Sequence, residues 1–137
     1  MDIETTLRCI GYSHLLQPPL TLLLAQRLRL RPAFEGLPPV AFRVAQNMAV
    51  AAVALPTSLG LFIALHARDV AELGPTWGLA LGVALFWTWR LERQLRVLGP
   101  LLAMQSRIWH PVLTSIFVAQ GPVLGVLLAL LRWGGES

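Results

Sequence analysis

Residues 44–65 run for 22 positions without a charged side chain. Wound as an α-helix, that stretch rises about 33 Å, which matches a bilayer hydrocarbon core of about 30 Å. A second uncharged stretch covers 108–131. A third, 73–89, extends backward to Val70 and forward into Arg90. Of 137 residues, 55% are hydrophobic and 13% charged, against roughly 25% charged in an ordinary soluble domain. A soluble globule this small exposes too much of its surface to hide so much apolar area. Lipid is the alternative solvent. The expected fold class is therefore an all-α integral membrane protein, a single membrane domain over 1–137.

A four-helix transmembrane bundle follows if a fourth stretch also spans, giving spans at 9–26, 44–65, 70–89 and 108–131. The stretch 9–26 contains Leu15, Leu16, Leu20 and Leu22-Leu23-Leu24, but also His14, Gln17, Pro18 and Pro19. The prolines remove backbone donors in mid-span, so this first helix is expected to be kinked. A re-entrant or interfacial segment is the other reading. Cytoplasmic segments would cover 27–43 and 90–107. In the former, Pro32, Gly36, Pro38 and Pro39 prevent any long helix. In the latter, Leu91, Leu95 and Leu98 keep a helical period, so the third helix is expected to run to about Leu98. Gly99-Pro100 then turns the chain, and the last helix begins near Leu101. The last two helices would form a long hairpin with a cytoplasmic tip.

Arginine sets the orientation. All eleven basic residues are Arg. Arg27, Arg29, Arg31, Arg43, Arg90, Arg93, Arg96 and Arg107 fall on one side of a four-span chain, and Arg8, Arg68 and Arg132 on the other. The richer side is expected in the cytoplasm of a bacterial-type inner membrane, with both termini outside. Placed this way, Trp77, Trp87, Trp89, Trp109 and Trp133 all fall near interfaces, where an indole can bury its ring and still hydrogen-bond. The net charge of +4 does not point to nucleic acid, because the arginines cap apolar runs and form no basic face. The opening Met1-Asp2-Ile3-Glu4 lacks the basic start of a cleavable signal peptide.

Few residues suggest chemistry. Small residues recur at four-residue spacing, notably Gly78/Gly82 and Gly121/Gly125, and such pairs let helices approach closely in lipid. Packing within the chain is the first expectation for them. Partner docking is the second, with 121–125 the best candidate surface. His14 and His66 would both lie toward the outer leaflet, where two imidazoles could ligate haem iron, or line a haem or quinone site. His110 lies too far away to join them. Gln120, near the bilayer midplane beside Gly121-Pro122, would act as helix glue or mark a helix break lining a solute path. Cys9 is the only cysteine, so it forms no disulfide within the chain, and it is expected to be a buried apolar side chain. No Asp, Glu or Lys lies in 44–65, 73–89 or 108–131, so a proton- or sodium-coupled carrier would lack its usual carboxylate.

These features lead to a non-catalytic accessory or structural subunit of a membrane complex, bound to no cofactor. Its partner would be another membrane protein or a second copy, and Arg90, Arg93 and Arg96 would touch anionic lipid or that partner. Two alternatives are a haem- or quinone-binding redox subunit using His14 and His66, and a small oligomeric transporter or channel built around Gln120 and the Gly121/Gly125 face.

Overall fold

The computed structural model describes residues 2–98, 100 and 108–134. The turn expected at Gly99 and the helix start expected near Leu101 lie outside these residues. All regular structure among the described residues is helical.

The N-terminal segment is one rod with a seam. Helix α1 (Ile3–Ser13) passes through a 3₁₀ turn (His14–Leu16) into α2 (Gln17–Arg27). Pro18 and Pro19 fall in the first turn of α2, where a missing N–H costs little. The prolines are thus absorbed at a change of helix type. Arg29, at φ 50°, reverses the chain into the short α3 (Leu30–Glu35).

Helix α4 (Pro39–Leu65) starts five residues earlier than the uncharged stretch, because Pro39 suits the first helical position. It continues through Pro56. A separate short helix, α5 (Ala67–Ala71), replaces the expected backward extension of the third span to Val70. The chain turns with Leu73 at φ 58°, and α6 (Thr76–Arg93) follows. A π turn (Gln94–Leu98) then carries the helix as far as the leucine period predicted. The last rod comprises α7 (Trp109–Val118), a π turn (Ala119–Val123) and α8 (Leu124–Trp133).

Two helices, Pro39–Leu65 and Trp109–Trp133, are long and apolar enough to cross a membrane. Helix α6 is shorter in its apolar part, since Arg90, Glu92 and Arg93 occupy its last turn.

Packing is uneven along the bundle. Leu7, Ile63, Val70, Ala80, Leu124 and Leu128 are fully or almost fully buried where α1, α4, α5, α6 and α8 meet. There Gly11 and Gly60 let two backbones touch. A Cβ on Gly60 would stand 2.5 Å from the Gly11 carbonyl oxygen, and one on Gly11 would stand 2.7 Å from the Ala64 nitrogen. Toward the other end, residues 39–55 include no buried position. The helices are tight at the α5 end, and at the splayed Arg90 end α4 stands away while Trp87, Leu91 and Gln94 stay buried.

Candidate functional site

A chain of buried side-chain amides joins the first rod to the last. Gln17 Nε2 donates to Gln120 Oε1. Gln120 Nε2 donates to Ser13 Oγ at 3.2 Å, and that hydroxyl donates to the Ile10 carbonyl at 2.6 Å. Gln120 is fully buried and Gln17 nearly so. The local cause is Pro122, which has no N–H for a regular helical turn. The turn widens to the π form over Ala119–Val123 and carries Gln120 with it. Gly121 makes the close approach possible, because a Cβ there would stand 2.6 Å from the Thr88 nitrogen.

His14 lies beside this chain. It is fully buried, its Nδ1 pairs with the Ile10 carbonyl at 2.9 Å, and its Nε2 has no partner among the described residues. Its ring stands edge-on to Trp87, with centroids 5.6 Å apart. Trp87 in turn stacks on Phe117 at 5.5 Å. His66 has other surroundings. It is exposed, pairs through Nδ1 with the Phe62 carbonyl at 3.0 Å and stacks on the Phe62 ring. No hydrogen bond or ring contact joins the two histidines among the described residues. No group of three or more His, Cys, Asp or Glu is placed to hold a metal ion among them either. Cys9, expected to be buried, is exposed, because it points away from the face of α1 that carries Leu7 and Ile10.

The tryptophans divide. Trp89 and Trp133 are exposed, and Trp77 donates through its indole nitrogen to the Leu128 carbonyl at 3.2 Å. Trp87 lacks the hydrogen bond expected of an interfacial indole. It is 3% exposed and its N–H has no partner among the described residues.

The glycine pairs divide as well. Gly121 and Gly125 face α6 inside the chain, with Ala84 3.8 Å from a Cβ on Gly125. The surface singled out for a partner is therefore used internally. A Cβ on Gly78 or Gly82 would meet nothing within 4 Å. Those two glycines line an open groove of about 400 Å³ with Leu55, Leu59 and Phe86.

Of the three candidate contact arginines, Arg96 is held by Glu92 at 3.3 Å. Arg90 and Arg93 have no carboxylate within ion-pair distance among the described residues. Arg90 lines a second cavity of about 380 Å³ at the splayed end, together with Gln17, Trp87, Gln94 and Phe117. Gln94 is 2% exposed, and its Nε2 is another buried donor without a partner among the described residues. The sequence gives little sign of Ser13 and Gln17 as partners of Gln120, since they meet it only through the fold.

No family model, curated protein or solved structure matches the chain.

Proposed function

We propose that the chain is a four-span inner-membrane protein serving as a non-catalytic subunit of a membrane complex. The observation that carries this reading is the uncovered state of α4. Only 22% of its most apolar window is buried within the chain, whereas the core helix of a soluble domain must be covered on most sides. Val44, Met48, Val50 and Leu65 are each more than half exposed, and lipid or another apolar helix is the environment that suits them. The Gly78/Gly82 groove supports a helix partner, because two bare glycines one turn apart admit a close backbone approach. The Ser13–Gln120–Gln17 chain supports the structural role for Gln120, since both ends of its amide are committed to other helices.

In this reading α1–α2, α4, α6 and α7–α8 span, with the arginine-rich segments in the cytoplasm. Membrane-impermeant maleimide tests the topology in a Cys9→Ser background. Asp2→Cys is expected to label from outside in intact spheroplasts, and Gly36→Cys only after lysis. An Asp2→Cys protein that labels only after lysis returns the first rod to a re-entrant segment.

Native-gel migration of gently solubilised protein, with mass spectrometry of the band, tests the subunit role. A large band containing other subunits is expected, reduced by Gly78→Leu. A small band holding only this chain would end the proposal.

A further inference from the structure

The splayed end encloses a cavity of about 380 Å³ between α2, α4, α6 and α7, within the roughly 300–1,000 Å³ common to small-molecule sites. Its wall is largely apolar, with Leu24, Met48, Leu55 and Phe117 among the lining side chains. Its polar lining includes Gln17, Thr21, Trp87, Trp89, Arg90 and Gln94, and the unanswered groups among them are donors. Trp87 and Gln94 are almost wholly buried, and each leaves a side-chain N–H without a partner among the described residues. Such donors are costly to bury unless something accepts from them. Arg90 adds a full positive charge at the exposed rim and has no ion-pair partner among the described residues. The Gln17 side-chain N–H is already committed to Gln120. No carboxylate side chain lines the cavity among the described residues. The site therefore offers donors and positive charge beside an apolar wall.

We propose that this cavity binds an anionic amphiphile from the surrounding leaflet, an acyl chain ending in an oxyanion. The wall takes the chain and Arg90 takes the charge, while the Trp87 indole and Gln94 amide, whose N–H groups are closed off from the cavity surface in this structure, turn toward the head-group oxygens as the ligand enters. A neutral lipid would fill the wall and leave Arg90 unanswered. A phospholipid phosphate and a fatty-acid carboxylate share this chemistry. The proposal rests on the membrane reading above, and the depth of the cavity, in the cytoplasmic half of the bilayer, rests on its four spans. The maleimide experiment addresses that reading separately.

The test is quenching of tryptophan emission in phosphatidylcholine nanodiscs, titrated with lipids brominated on the acyl chain. Brominated phosphatidylglycerol or a brominated fatty acid is expected to quench saturably, at about tenfold lower mole fraction than brominated phosphatidylcholine, the factor expected of a charge-assisted contact. Whichever anion saturates first identifies the source. Trp89 lines the same cavity, so Trp87→Phe and Trp89→Phe together should remove most of the saturable component. Arg90→Gln, at an exposed position that does not threaten the fold, should erase the preference for the anion. Gln94→Leu should weaken it in the same direction. If all three lipids quench in proportion to mole fraction, or Arg90→Gln leaves the preference intact, the proposal is overturned.

Discussion

Gln17 donates its side-chain N–H to the side-chain oxygen of Gln120, joining residues 103 positions apart in the chain. Gln120 passes the contact on to Ser13. Two rods that share no sequence pattern are thus tied by a fully buried polar link. Replacing one partner strands the other in an apolar interior, whereas replacing both removes the need for either. Gln120→Leu is expected to destabilise the protein by about 1–3 kcal/mol, the cost of leaving buried polar groups unpaired. The double variant Gln17→Leu/Gln120→Leu should recover most of that loss. Unfolding in bicelles measures both. A double variant as unstable as the single would show that the link is not a pair. Liposome flux on the same single variant also bears on the channel alternative, which predicts a changed flux.

Two glycines should respond oppositely to a methyl group. At Gly60 a Cβ meets the Gly11 carbonyl oxygen at 2.5 Å and the His14 side chain. Gly60→Ala is therefore expected to cost about 1–3 kcal/mol, as overpacking does when backbone must move. At Gly78 a Cβ meets nothing within 4 Å. Gly78→Ala should leave the isolated chain unharmed or improve it by about 0.5–1 kcal/mol through helix propensity. Thermal unfolding of the two variants in one detergent decides the matter. Equal effects would mean that the α1–α4 contact is looser than described.

Asp69 gives a pH dependence with a defined sign. Its carboxylate accepts from the Thr76 hydroxyl and from the Thr76 backbone N–H, the latter at 3.1 Å. The hydroxyl bond is the largest cause, the backbone bond the next, and together they hold the Asp69 pKa below the ordinary carboxylate value, with the charge of His66 adding a little. A group whose folded pKa is depressed contributes stability above its unfolded pKa, about 3.9 for Asp, and loses it as pH falls through the lower folded value. Wild type should therefore lose more stability than Asp69→Asn on acidification below about pH 4. Thr76→Val should shrink that difference. Melting curves between neutral pH and acid, compared as wild type minus variant, test it. A constant difference would remove Asp69 from the account.

How much of this was legible in the sequence follows from what each pattern measures. The uncharged stretches at 44–65 and 108–131 correspond to the two helices long and apolar enough to cross a membrane, because length and apolarity are local properties. The continuation of the α6 rod to Leu98 was also visible, in the spacing of Leu91, Leu95 and Leu98. The break at 72–75 was hidden, since Leu73 takes a positive φ that no side-chain pattern announces. Cys9 departed from expectation, and Trp87 lacks the expected hydrogen bond among the described residues, for one shared reason. A residue's depth along a helix can be read from sequence, but the direction it faces depends on which neighbours pack there. His14 and His66 looked alike by position and differ by rotation, one buried against Gly60 and Trp87, the other exposed. The Ser13–Gln120–Gln17 link needed the tertiary fold to be seen at all.

That link also sets a timetable. Gln17 leaves the ribosome about a hundred residues before Gln120, and at synthesis rates of about 5–20 residues per second the interval is roughly 5–20 s. Through that interval, if the first rod enters the bilayer as it is made, its amide sits in hydrocarbon without its final acceptor. The α1–α4 contact at Gly11 and Gly60 can close much earlier, since both strips are complete once α4 emerges. If the first rod spans as proposed, biogenesis would proceed as a hairpin first and a latch last. Any insertion factor acting on this chain would have its work in the gap between the two.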